Sequence, residues 1–246
     1  MSEILTHQNA GVLTITFNRP TRKNAITATM YQTLTKALTD AATDPTLRVV
    51  LLQGTDTLFS AGNDLDDFIT HPPTDLQAPV WQFLHTLSAF PKPIVAAVCG
   101  FAVGIGTTML LHCDLVYAAT DARFSVPFVN LGLCPEGACS LLLPKALAAE
   151  ALLTGDPFDA ATALQAGLVN RVLPAPEVLG WALAQAQKIA QKPSEAVMQT
   201  KRLLKSPMLA AVHAHIDEEA LTFASLLQGE AAQDAIAAFI NKQKPH

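Results

Sequence analysis

The chain has 246 residues, half of them apolar, enough to bury a large core at the upper size of a single domain. Its formal charge of -5 leaves no excess of positive charge for a polyanion to neutralise, which argues against nucleic acid as a partner. The four cysteines, Cys99, Cys113, Cys134 and Cys139, lack the paired spacing of a zinc or redox site and read as reduced, mostly buried thiols.

The opening residues, MSEILTHQNAG, hold too short an apolar run for a signal peptide, so the expected location is cytoplasmic. Val12, Thr14 and Thr16 alternate with Leu13, Ile15 and Phe17 and predict a strand that stops at Asn18-Arg19-Pro20. From Thr27 to about Ala42, Met30, Leu34, Ala37, Leu38 and Ala41 recur at helical spacing, and Asp44-Pro45 ends the helix. Arg48 to Gly54 predicts a strand buried on both faces, followed by the loop Phe59-Ser60-Ala61-Gly62-Asn63-Asp64-Leu65. The proline-rich stretch Ile69 to Pro79 predicts a mobile surface loop, and a helix is expected from about Val80 to Ser88.

Ile94 to Leu111 contains no charge, but Gly100, Gly104 and Gly106 break it into a short buried strand and a following helix, so a membrane span is not expected. Short strands are expected at Leu115 to Ala118, Ala122 to Val126 and Leu168 to Leu173. Helical pattern dominates after Glu136, and the C-terminal part carries the clustered bases Lys188, Lys192, Lys201, Arg202 and Lys205. Such a local cluster could hold a small phosphorylated ligand. Strand and helix alternation over the first two thirds indicates an α/β protein.

Two glycine-bearing loops follow apolar strands, Ser60-Ala61-Gly62-Asn63 and Gly104-Ile105-Gly106-Thr107, and each can present a free backbone N–H. Two such amides on one oxygen make an oxyanion hole; read alone, each loop is more often an ordinary turn. Glu136 is the only acid between Asp121 and Glu150 and lies among apolar residues. Apolar neighbours would raise its pKa toward that of a useful base, whereas a helix N-terminus would lower it, and the residue could simply begin the next helix. His112-Cys113-Asp114 cannot form a nucleophilic triad, because consecutive helical side chains diverge. His213 and His215 lack zinc-helix spacing and are expected on the surface. No metal site emerges, and neither the glycine fingerprint of a dinucleotide fold nor a phosphate loop is present.

Asn18-Arg19-Pro20, Asn24-Ala25-Ile26, Phe59 to Leu65, Lys92 to Gly100 and Cys113 to Ala118, taken in order, resemble the successive landmarks of the crotonase (enoyl-CoA hydratase/isomerase) superfamily over nearly the whole chain. The resemblance implies a crotonase-like spiral of ββα units over residues 1–190, and a C-terminal helical trimerisation region over 191–246. It implies an acyl-CoA thioester as substrate, no cofactor, and a homotrimer or dimer of trimers. Carried over by position, the oxyanion-hole amides fall on Asn63 and Ile105. Ser60, Ala61, Gly62, Asn63, Asp64 and Leu65 would line the CoA and thioester, with Arg22 and Lys23 near the CoA nucleotide. Where the hydratase branch has two glutamates, this chain has Thr108 and Phe128, and neither can activate water. Pro127 to Gly132 and Pro135-Glu136-Gly137 resemble instead the peroxisomal type of Δ3-Δ2-enoyl-CoA isomerase, which implies Glu136 as the proton shuttle. A different acyl-CoA reaction on the same oxyanion hole, hydration or thioester hydrolysis, and a non-catalytic acyl-CoA-binding protein are the alternatives.

Overall fold

In the computed structural model, which describes residues 2–243, the first alternating segment pairs with a strand that the sequence reading passed over. Strand β1 (Ile4–Asn9) runs antiparallel to β2 (Val12–Phe17). Only Ile4 of β1 is buried, so its hydrophobic pattern is that of an edge and gives little signal. Helix α1 (Ala28–Thr43) is capped by Thr27, whose side chain accepts from the Met30 N–H, and its apolar face buries Met30, Tyr31, Leu34, Leu38 and Ala41.

Strands β3 (Val49–Gln53) and β4 (Ile94–Val98) lie at the centre of the main sheet, and β4 is buried at every position. That is why both read as unbroken apolar runs. Between them lie α2 (Leu65–Thr70) and α3 (Pro79–Ser88). The expected loop therefore begins after Thr70, because Asp64 caps a helix across Ile69 and Thr70.

The uncharged stretch after β4 contains more structure than one strand and one helix. Strand β5 (Phe101–Val103) leaves the main sheet, α4 (Ile105–Thr108) follows, and a 3-10 turn spans Met109–His112. Next come β6 (Leu115–Ala119), β7 (Arg123–Ser125), α5 (Cys139–Leu142), α6 (Lys145–Thr154), β8 (Phe158–Asp159), α7 (Ala160–Ala166) and β9 (Arg171–Leu173). The main sheet has the order β1-β2-β3-β4-β6-β9, and β5, β7 and β8 form a second sheet. The chain crosses between the sheets within successive turns, β4 to β5 and β6 to β7, which is the expected α/β spiral.

Helix α8 (Ala175–Ala190) packs across β2, β3, β4 and β6 of the main sheet. The long α9 (Ser194–Leu227) lies against α3, and α10 (Glu230–Gln243) returns over α2 and the 3-10 turn Phe128–Leu131. One of the clustered bases of this region serves the fold and not the surface. Lys201 is buried, pairing with Asp114 at 2.8 Å and donating to the Lys92 carbonyl at 2.7 Å. Lys92 is itself spent on the Ala41 and Asp44 carbonyls at the end of α1. These lysines tie helices to the sheet; a buried ammonium needs such acceptors.

Candidate active site

The loop after β3 is stitched to β5 by its backbone. Ser60 N–H donates to the Phe101 carbonyl and Val103 N–H to the Ser60 carbonyl, both at 3.0 Å. Ser60 Oγ donates to the Asn24 carbonyl at 2.8 Å and accepts from Gly62 N–H at 3.1 Å. Ile26 N–H then donates to the Gly62 carbonyl and Asp64 N–H to the Ile26 carbonyl. This register turns the Asn63 N–H away from the pairing, and among the described residues it has no acceptor. Gly62 has φ +91, and a Cβ there would lie 2.7 Å from the Val103 oxygen, so only glycine lets the loop come this close to β5. Immediately beyond, Ile105 opens α4, and its N–H likewise lacks a partner, as expected of a first-turn amide. Close approach at Gly62 thus brings two free amides, those of Asn63 and Ile105, to neighbouring edges of the second sheet.

Glu136 sits at a tight backbone turn in which Gly137 and Ala138 both have positive φ, 72° and 55°. For alanine that conformation costs on the order of 1 kcal/mol. The turn is held by His112, whose Nε2 bonds the Gly137 carbonyl at 2.8 Å. Burial pushes the His112 pKa down to about 4, so the imidazole is neutral and Nε2–H donates. Glu136 is fully buried, and neither carboxyl oxygen has a hydrogen-bond partner among the described residues. Burial pushes its pKa from 4.5 up to about 8, with a further push from Glu219 of α9 and a smaller pull downward from the Asn63 side chain. That amide is near enough to act on the carboxyl although it falls outside hydrogen-bond geometry. The desolvating effect therefore wins over any helix N-terminus.

Tyr31 completes this interior. Its O–H donates to Asn63 Oδ1, which leaves the Asn63 NH2 to turn toward Glu136. Burial, then the charges of Glu136 and Asp67, keep the phenol pKa well above its ordinary value, so it remains a donor.

A cleft of about 1090 Å³ opens beside these groups. Thr21, Arg22, Lys23, Asp64 and Asp66 line one part, and Ala61, Gly62, Asn63, Leu65 and Gly104 line its wall. Phe68, Phe128, Leu131, Leu133 and Phe223, with Ala235, Ala238, Phe239 and Ile240 of α10, make most of the rest apolar, with Asn130 a polar member. Ser60 is the exception among the expected lining residues: it is wholly buried and serves the loop instead. Asp64 borders the cleft but is almost entirely buried, bonding Arg19 at 2.5 Å and capping α2 through the Asp66 and Asp67 amides. Arg22 leans on Asp66 and, at 3.5 Å, on Asp64, and the hydrogen bond to Asp66 raises its pKa. Glu136 itself contributes no surface to the cleft.

The family model for enoyl-CoA hydratase/isomerase matches residues 7–246. The chain belongs to that family. It is 34% identical to 2,3-dehydroadipyl-CoA hydratase of Escherichia coli (strain K12), with 100% of this chain and 98% of the relative covered. It is 36% identical to enoyl-CoA delta isomerase 2 of Rattus norvegicus over 98% of this chain, which spans 64% of that relative's length. Among solved structures, Pseudomonas aeruginosa OdaA superposes with a TM-score of 0.95 at 42% identity, covering 98% of this chain and 99% of that one. An enoyl-CoA hydratase/isomerase from Pseudoalteromonas atlantica T6c superposes at 0.92 and 39% identity, covering 100% and 99%. The family's acyl-CoA chemistry is thus the frame in which the site is read.

Within that frame, Thr108 is buried with no partner for its hydroxyl among the described residues, and Phe128 places its ring beside Gly104 at the cleft wall. Neither supplies a carboxyl. Two contributors escaped the sequence reading. Tyr31 sits on the apolar face of α1, where a tyrosine among hydrophobes gives no functional signal. Glu219 is one of two adjacent glutamates on a long helix, and only packing shows which of them faces inward. His213 and His215, expected on the surface, are half-buried: His213 bonds Ser88 at 3.1 Å and His215 bonds Ser140 at 2.8 Å, because α9 docks there against α3 and α5. Among the described residues no group of three or more His, Cys, Asp or Glu side chains could hold a metal ion, and no helix is long and apolar enough to cross a membrane.

Proposed function

We propose that the chain is a Δ3-Δ2-enoyl-CoA isomerase in which Glu136 shuttles the proton. The observation that carries this reading is a carboxyl, fully buried and without a hydrogen-bond partner among the described residues, with a pKa near 8, within reach of Asn63, whose backbone amide is unsatisfied. A base whose pKa lies near the working pH combines an available ionised form with enough driving force for proton abstraction. Glu136 takes a proton from C2 of a 3-enoyl thioester, and the electron pair moves onto the thioester oxygen. The Asn63 and Ile105 amides hold that oxygen, a contact worth about 2.7–4 kcal/mol per donor in comparable sites. As the enolate collapses, the protonated Glu136 returns its proton at C4 and the double bond comes to rest between C2 and C3. The thioester carbonyl is the electron sink, so the step calls on no metal or redox cofactor. Arg22 and Lys23 are assigned to the CoA nucleotide end, and Ala61 to Leu65 to the thioester end. The apolar wall from Phe68, Phe128, Phe223 and α10 suits an uncharged fatty acyl chain. Exposed Leu203, Leu204 and Leu221 on α9 support assembly as a trimer or dimer of trimers.

Hydration is the second reading, favoured by the likeness to 2,3-dehydroadipyl-CoA hydratase along the full chain. Incubation with 3-trans-hexenoyl-CoA and, separately, 2-trans-hexenoyl-CoA distinguishes the two. Conversion of the first to the 2-enoyl ester, with little 3-hydroxyacyl product from the second, is the expected result. Prompt hydration of the second with no isomerisation of the first would overturn the isomerase assignment.

A further inference from the structure

We propose that Glu219 is the positioning residue of this site: its carboxylate anchors the turn that carries Glu136 and sets the electrostatic field on its carboxyl. The proposal rests on Glu136 being the base. Glu219 reaches from α9 to the start of α5, where Oε1 accepts from Ser140 N–H at 3.0 Å and from Ser140 Oγ–H at 2.6 Å. A second tie runs from the same residue's backbone, whose carbonyl accepts from Cys134 Sγ at 3.6 Å. Residues 134 and 140 flank Glu136, so one residue of α9 grips both ends of the catalytic turn. The other oxygen, Oε2, is buried with no partner among the described residues, as are both oxygens of Glu136.

Two carboxyl groups facing each other in a buried space cannot both ionise cheaply, and the hydrogen-bond donors decide which does so first. Burial raises Glu219 as well, but the Ser140 hydroxyl, the Ser140 and Ala138 amides and the neighbouring His215 pull against it. Glu136 has only the Asn63 side chain. With Glu219 held by these donors, its charge adds to the burial that raises Glu136. The other groups on this space are Tyr31 of α1, Cys134 ahead of the turn and Cys139 of α5, all of which burial keeps protonated, while Glu218 pairs outward with His215 at 3.6 Å. His112, which anchors the turn from the far side, is neutral.

Glu219→Gln separates the two roles, since the amide oxygen still accepts from Ser140 while the charge is gone. The readout is the carboxyl C=O stretch of Glu136 by infrared difference, taken against the corresponding E136Q background, from about pH 5 to about pH 10. In E219Q the Glu136 band is expected to titrate about one pH unit lower than in the wild type, with the acid limb of kcat moving by the same amount. A Glu136 titration at the wild-type pH overturns the proposal. Should E219Q fail to fold, Glu219→Met removes the same charge with a side chain of similar length and is expected to move the Glu136 band in the same direction; no movement there also overturns it. The infrared titration needs no turnover, so a fully active E136Q variant would refute the base assignment separately.

Discussion

Glu136 makes the folded protein's stability depend on pH in a direction opposite to that of most carboxylates. Its pKa is 4.5 when exposed and about 8 in the fold. Between those values the unfolded chain has released the proton and the folded chain still holds it, so the unfolded state binds fewer protons and stability falls as pH rises. The slope is about 1.4 kcal/mol per pH unit. Accumulated to pH 8, the loss is on the order of 5 kcal/mol, an upper bound because a carboxyl that ionises inside a protein relaxes toward water. Glu136→Gln removes the titration and retains the shape. Its unpartnered amide adds an offset that does not vary with pH. Urea unfolding of wild type and E136Q, at one protein concentration and at intervals from about pH 5 to about pH 9, should show the variant gaining on the wild type as pH rises. A stability difference that stays flat across that range would refute the reasoning, since it would mean that Glu136 ionises as easily in the fold as in water.

The same variant is expected to lose isomerase turnover by 100-fold or more, the usual order for removing a positioned base, while KM for the CoA ester changes little; steady-state kinetics checks it. Asn63→Pro deletes the free N–H and is expected to lower kcat by roughly 100-fold or more, against a smaller loss in Asn63→Ala, which keeps the amide. Tyr31→Phe and Asn63→Ala should each destabilise the fold by roughly 1–2 kcal/mol, with a double variant less than additive because the two share one hydrogen bond. Gly62→Ala must take φ +91 and meet the Val103 oxygen at 2.7 Å, so it should cost roughly 2 kcal/mol or more and misplace Asn63, seen as lowered melting temperature and kcat together. Asp64→Asn should cost roughly 1–3 kcal/mol by thermal or urea unfolding. Burial alone would raise the Asp64 pKa, but Arg19 and the Asp67 amide hold it low. Its stabilisation is therefore present at neutral pH and fades as pH falls through the folded value, the reverse of Glu136.

The amino-acid sequence by itself determined the elements whose burial is one-sided or complete. Helix α1 was legible because Met30, Leu34, Leu38 and Ala41 repeat on one face, and β3 and β4 because a strand covered on both faces leaves no polar position. It also marked Glu136, through the scarcity of acids around it, and the two glycine loops. Strand β1 was not legible, since five of its six residues are exposed and carry no alternation. Nor was the division of residues 94–112 between two sheets, because an apolar run has the same composition whether it stays in one sheet or crosses to another. What only the tertiary structure decided are the properties that depend on distance between remote residues: that Gly62 packs against Val103 and Gly104, the residues just ahead of Ile105, that Tyr31 holds Asn63, and that Glu219 rather than Glu218 turns inward to Ser140. A pKa near 8 belongs to that class too, since it measures how completely the folded chain withdraws one carboxyl from water.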